Sequence, residues 1–208
     1  MVLSSTPRML HTTDAIVLSL QPQSDKAHLL HAYTRTGGRI NYKVYGLGKH
    51  HAAGVYAPLS LVQITSDQSS VQSGGRLPSV RTTQLLYIPA TTPIDPHKQA
   101  IALFLSEVLF RTLRMPMTDE AMFDFIANAI PQLDAAEQPQ NFHLAFLVEL
   151  AAKLGFAIDE NEHPELLREP QSRAERQQLL KQLCDYFAEH IDTWQHPKSL
   201  DILMEIFD

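Results

Sequence analysis

Within fifteen residues of the sequence stand Arg35, Arg39, Tyr42, Lys43, Tyr45 and Lys49. Cations along an extended segment can follow a phosphate backbone. Aromatic rings between them are platforms on which bases stack, each worth about 1–3 kcal/mol. Tyr42 and Tyr45 are three apart, so on a strand they point to opposite faces and only one is exposed. The same residues also fit a half-buried strand with Tyr42 in the core and Arg39 and Lys43 as a solvated face. Lys26, Arg76 and Arg81 are further cations in this half of the chain.

Other chemistry is missing its parts. There is no GxSxG, Walker A loop, GxGxxG or HExxH. Gly46-Leu47-Gly48 lacks the third glycine of a dinucleotide loop. His50 and His51 are adjacent, so an extended backbone turns them apart. His190 and His196 lie six apart with no cysteine or carboxylate at ligand spacing. Cys184 flanks an apolar helical stripe, where cysteine acts as a small hydrophobe. Glu107 and Glu149 each sit in an apolar helix, with Arg111 and Lys153 four residues on as natural partners. The chain is therefore expected to be no enzyme, with no metal, no cofactor and no small-molecule substrate.

The charge balance agrees with a polyanion partner. The net charge is −6, but up to residue 90 eight basic residues face three acidic ones, giving +5 and leaving −11 for the rest. Five of the ten histidines also lie in the basic half. A bipolar chain of this kind suggests a polyanion partner for the first half, and drift of surface charge is the alternative. One cysteine excludes a disulfide framework. The N-terminus has no apolar core of about seven residues for a signal peptide, and no apolar run reaches the ~18 residues of a membrane span. A cytoplasmic, nucleoid-associated protein is expected.

These residues must be placed by two kinds of element. Strands are expected at 13–20, 27–34 and 39–46, then after Pro58 and over 81–88. The glycines at 37 and 38 supply a hairpin turn. Five short strands in about 80 residues fit a small barrel, either OB or SH3-like. From Pro96 the pattern changes. Asp95 is an N-cap and Pro96 a first-turn residue, and the helix to Arg114 is apolar nearly all round, hence buried on several sides. Further helices follow from Thr118 or Asp119, over 141–154 with Gly155 as its stop, from Ser172 with Glu175 at capping-box spacing, and over 197–207. Pro131 is expected to kink or end its helix. Residues 159–171 read as a loop.

Four stretches, taken in order, resemble the RecO family of bacterial recombination mediators in its short Bacteroidetes-type form. They are Ser24-Asp25-Lys26 with Thr34 and Gly38-Arg39-Ile40; Gly46-Leu47-Gly48-Lys49 followed by Pro58-Leu59-Ser60-Leu61-Val62; residues 101–114, 122–125 and 141–156; and residues 172–180 with 199–207. The resemblance implies an α+β chain, an N-terminal OB-fold β-barrel followed by an α-helical domain, divided as 1–90 and 91–208. It implies a DNA repair and recombination mediator that binds single- and double-stranded DNA, anneals complementary strands and, with RecR, helps load RecA onto single strands coated by single-strand-binding protein (SSB). The DNA face it implies is Arg35, Arg39, Lys43 and Lys49, with Lys26, Tyr45, Arg76 and Arg81 around it. Arg111 and Arg114 are candidates for the carboxylates of the SSB C-terminal tail. Relatives with a four-cysteine zinc module carry it where this chain has only 159–171, without cysteine. The alternative is a non-enzymatic adaptor whose degenerate barrel recruits RecR or SSB and binds DNA weakly.

Overall fold

The computed structural model describes residues 10–47, 52–67, 77–113 and 118–207. Lys49, Arg76 and Arg114 lie outside the described residues. The chain divides into two compact units, Met1–Ile88 with Leu113–Phe123, and Pro89–Thr112 with Asp124–Asp208. The segment Leu113–Phe123 thus belongs with the strands, a return that the sequence pattern gives no sign of.

The first unit holds β1 (Leu10–Ser24), β2 (Ala27–Thr34), β3 (Gly38–Tyr45), a short helix α1 (Ala52–Val55), β4 (Leu61–Asp67) and β5 (Val80–Leu85). The strands are ordered β3-β2-β1-β4-β5, with antiparallel neighbours. A parallel bridge between Lys43 and Ser79 joins the two ends, and Lys43 N donates to Pro78 O at 2.8 Å. A five-stranded barrel closed in this way is the OB fold, which decides between the two barrels the sequence allows. Alternate residues point inward, and Ala15, Val17, Leu30, Ala32, Tyr42, Val44, Val62 and Ile64 form the core.

β1 departs from simple alternation. A register shift between Val17 and Ser19 inserts a bulge, which brings Leu20 rather than Ser19 back to the inner side. Ile16 and Leu18, on the outer side, are buried as well. On β2 the outward Tyr33 stacks on Phe123 with centroids 6.3 Å apart, and its hydroxyl donates to Asp119 O at 3.4 Å. Thr118 Oγ1 donates to Thr36 O at 3.2 Å. The returning segment is therefore fastened over the outer face of β2.

The second unit is built from α2 (Pro96–Thr112), most of α3 (Glu120–Ala135), α4 (Phe142–Lys153), α5 (Arg173–His190) and α6 (Ser199–Ile206). α2 begins where its caps put it, with Asp95 Oδ1 accepting from His97 N at 2.8 Å and Lys98 N at 3.4 Å. Ile101, Phe104, Leu105, Val108 and Leu109 are fully buried. α4 stops at Gly155, whose φ of 92° is the left-handed turn that favours glycine. α5 opens on a capping box, with Ser172 Oγ accepting from Glu175 N at 3.2 Å and Glu175 Oε2 accepting from Gln171 N at 2.8 Å. The stretch expected to be plain loop contains a 3₁₀ turn, Pro164–Leu167, that buries Leu166.

Pro131 does not end α3, which runs on to Ala135. The last turn is held from outside the helix. The Asp134 carboxylate accepts from Ala90 N at 2.8 Å, Thr91 N at 2.9 Å, Thr92 N at 2.7 Å and Thr92 Oγ1 at 2.9 Å. Thr91 Oγ1 and Lys98 Nζ both donate to Asp134 O. Asp134 is 5% exposed and Lys98 4%, so this polar knot sits in low dielectric, where each bond is strong and each loss is costly. Asp134→Ala should lower the unfolding free energy by about 3 kcal/mol or more, against about 1 kcal/mol for Thr92→Ala. Urea denaturation of the full chain reads both. Equal, small losses would show that the knot does not hold this unit together.

Candidate nucleic-acid interface and anion pocket

The pleat of β3 sorts its residues. Tyr42 is 2% exposed and faces the barrel core, where burial pushes its phenol up to about 12. Tyr45 is 53% exposed on the outer side. Of the two tyrosines, Tyr45 is the available stacking platform. Arg39, Asn41 and Lys43 share its face, opposite Tyr33, His31 and Leu29 of β2. His31 Nδ1 bonds Asn41 Oδ1 at 2.7 Å. Burial lowers the His31 pKa, partly offset by this bond, and the Arg39 charge lowers it further.

The turn of the β1–β2 hairpin brings exposed Lys26 beside this strand end. Ala27 pairs with Tyr45, and Gly46 N donates to Lys26 O at 3.3 Å. Lys26 and Lys43 make no ion pair among the described residues. Two residues beyond the Lys43–Ser79 bridge come Tyr45 on β3 and Arg81 on β5. Lys26, Lys43, Tyr45 and Arg81 are thus gathered at one end of the barrel. Arg39 lies four residues along the same strand face, about 13 Å away at strand rise.

The remaining cations are placed differently. Arg35 follows β2 at the opposite end. Its Nε lies 3.8 Å from Asp14 Oδ2, and its guanidinium sits 4.4 Å over the Phe123 ring. Arg81 Nη2 donates to Asp67 Oδ2 at 2.9 Å, while Asp67 Oδ1 accepts from Ser79 N at 2.8 Å. In the second unit Arg111 Nη2 donates to Glu107 Oε1 at 2.5 Å. Glu107 in turn accepts from Lys198 N at 2.9 Å, Ser199 N at 3.0 Å and Ser199 Oγ at 2.8 Å. The Glu107–Arg111 pair is therefore internal, and the carboxylate caps the start of α6.

A second basic feature lies in the helical unit. It is a shallow, half-open notch of about 20 Å³, room for a small head group rather than a whole ligand. Gln140, His143, Arg173, Arg176 and Gln177 are its polar lining, and Leu180, Leu203, Met204 and Phe207 its apolar one. Gln177 Nε2 donates to Met204 O at 3.0 Å, which ties α5 to α6 at the rim. Arg173 and Arg176 are three apart on α5 and share a face, a signal present in the sequence. His143 and Phe207 join them only through the fold.

Among the described residues no group of three or more His, Cys, Asp or Glu side chains is placed to hold a metal ion, and no helix is long and apolar enough to cross a membrane. Cys184 is buried, and burial together with the nearby Asp185 pushes its thiol up to about 12. A thiol so placed is a packing group rather than a nucleophile.

An OB barrel with cations and an exposed tyrosine at one end is followed in the chain by a helical domain. The family model described as "Recombination protein O C terminal" matches residues 94–166. The DNA repair protein RecO of Porphyromonas gingivalis is 27% identical over 96% of this chain and 100% of its own length. Those of Flavobacterium johnsoniae and Phocaeicola vulgatus are 28% and 26% identical, over 94% and 96% of this chain and 98% and 100% of their own. Over nearly its whole length the chain is thus similar to DNA repair proteins of the RecO family.

Glu107 gives a pH signature. Burial raises its pKa, but the Lys198 and Ser199 amides, Arg111 and the Ser199 hydroxyl outweigh this and hold it down to about 2, from 4.5. A depressed carboxylate contributes stability that is present above about 4.5 and lost as pH falls toward about 2. Glu107→Gln should cost about 2 kcal/mol at pH 7, and that difference should shrink to well under half near pH 2.5. Denaturation midpoints compared from pH 7 to pH 2.5 test this, and a pH-independent difference would remove Glu107 as the cap of α6.

Proposed function

We propose that the chain acts in DNA repair as a non-enzymatic recombination mediator. It binds single- and double-stranded DNA, anneals complementary strands and, with RecR, helps load RecA onto single strands coated by SSB. The observation that carries the DNA-binding part is the convergence of Lys26, Lys43, Tyr45 and Arg81 at one barrel end, with Arg39 along the strand. The cations follow phosphates and Tyr45 stacks one base, a combination that binds single strands with little sequence preference. The notch of the helical unit is the proposed seat of the SSB tail. An apolar end residue fits the Leu180–Phe207 wall and its carboxylate meets Arg173 and Arg176. Work on single strands at the nucleoid agrees with a cytoplasmic location.

Binding to an unstructured oligonucleotide should weaken steeply with salt. Lys43→Ala and Lys26→Ala should each reduce the slope of log K against log[salt] by about 0.7. Tyr45→Ala should cost about 1–3 kcal/mol with the slope unchanged. Arg35→Ala should chiefly lower stability, because Asp14 and Phe123 hold that side chain. Fluorescence anisotropy between 50 and 200 mM salt separates these, and unchanged slopes in both lysine variants would remove the barrel end as the DNA face.

A fluorescent peptide of the SSB C-terminus should bind the wild-type chain. It should lose at least about tenfold in affinity on Arg176→Ala or on amidation of its terminal carboxylate, the 1.5–3 kcal/mol of a charge-assisted bond. The adaptor reading is favoured by the engagement of Arg35, Arg81 and Arg111 by carboxylates of the chain itself. Retained peptide and RecR binding, without annealing of complementary oligonucleotides, would select it.

A further inference from the structure

His143 is the least expected residue of the notch. It lies on α4, 2% exposed, with its ring edge toward Phe104 and its face toward Phe207 at 6.1 Å in each case. Its Nδ1 is enclosed and has no hydrogen-bond partner. Native structures rarely keep an enclosed imidazole nitrogen unsatisfied, and such groups often mark a ligand's place. The charge that acts on this ring is that of Arg176 on α5, and Arg173, one turn away on the same helix, also lines the notch. Gln140 and Gln177 face it uncharged, and Gln177 is already turned to the Met204 carbonyl. α2 and α6 present the apolar Phe104, Leu203, Met204 and Phe207, and one further titratable ring, His97 of α2, packs on Phe207 at 4.9 Å.

Without a ligand the ring has every reason to stay neutral. Burial, then the Arg176 charge, pushes it down to about 3. An anion in the notch leaves the burial in place but opposes its effect and that of the arginine. It cancels the arginine field and supplies the charge partner that an imidazolium needs.

We propose that His143 makes this notch a proton-linked carboxylate site: a ligand carboxylate held by Arg173 and Arg176 accepts from His143 Nδ1, and binding draws a proton onto the ring. The proposal rests on the notch being a carboxylate seat, as assigned to it above for a peptide tail. A neutral head group can hydrogen-bond Nδ1 but brings no charge to hold an imidazolium, and takes up no proton. Proton uptake on binding means that affinity rises as pH falls, here as pH drops from about 7.5 toward 5.5, with a flat profile at higher pH. The site thereby distinguishes a carboxylate terminus from an amide one twice, through the arginines and through the ring.

The test uses the full chain with ¹³C-labelled histidine and 3-phenylpropanoate as the carboxylate probe, with 3-phenylpropanamide as its neutral control. His143→Gln and His143→Phe identify the ring signal among those of the ten histidines. The expected result is a His143 signal that does not titrate between pH 8 and pH 5 alone and does so with saturating probe. Calorimetry should show severalfold tighter probe binding at pH 5.5 than at pH 7.5, and no such dependence in either variant. If the probe binds and Arg176→Ala weakens it, but the His143 signal stays fixed, the proton linkage is overturned and the carboxylate seat stands. If the probe does not bind, or binds equally to Arg176→Ala, both are overturned.

Discussion

Closure of the barrel between β3 and β5 is the constraint on which the basic face depends. Strand β3 is paired to β2 along its whole length, while its other edge meets β5 at the Lys43–Ser79 bridge. That bridge fixes the rotation of β3 at Lys43. Tyr42 is thereby committed to the core, and Lys43 and Tyr45 are committed to the outside. A one-residue slip would exchange the two sets, sinking a lysine into the apolar core. The fold therefore protects the outward set through the inward one: Tyr42, Val44 and Leu30 define where Lys43 and Tyr45 can be.

Carboxylates are the organising groups of both units, and this changes how the charge count is understood. Asp14 engages Arg35, Asp67 engages Arg81 and Glu107 engages Arg111. A net +5 in the first 90 residues thus overstates the field that a polyanion meets, because two of the three acidic residues there stand against arginines that the sequence offers as binding groups. The surviving field is concentrated where Lys26 and Lys43 lie. A local, sparse cluster beside an exposed tyrosine is suited to a single strand, whose phosphates and bases are both accessible, more than to the regular phosphate rows of a duplex.

Much of this was legible from local signals. The Asp95-Pro96 start of α2, the Ser172–Glu175 box of α5, Gly155 after α4 and the glycines at 37 and 38 each state a backbone requirement within four residues. The features that were not legible are all long-range. The bulge at Val17–Ser19 shows only as an unbroken apolar run. Pro131 warns of a helix end, yet the Asp134 bonds to residues 90–92 hold the last turn in place, forty residues away in sequence. The return of Leu113–Phe123 to the barrel rests on Phe123 meeting Tyr33 and Arg35. The pairing of Arg111 with Glu107 was legible from their spacing of four, but that the same carboxylate also caps α6 was not. The notch needed α4, α5 and α6 together, and only Arg173 and Arg176 announced it.

The two basic features differ in the physics by which they use positive charge. Lys26, Lys43 and Tyr45 are solvated, so their attraction for phosphate is screened within about 10 Å at 0.1 M salt and acts mainly through release of counterions. Such a surface binds many sequences, releases them readily and lets a strand slide. In the notch, Arg176 acts next to Leu180, Leu203 and Phe207, where lower dielectric strengthens each charge-assisted bond and makes a wrong or missing head group costly. Such a site discriminates one end group from another and is less sensitive to salt. The proposed function, holding a strand loosely while identifying a partner by its tail, calls for both behaviours, and cationic side chains in two environments supply them. What separates them is the apolar wall that α6 supplies, so Glu107, which fixes the start of α6, belongs to the second behaviour although it touches no ligand.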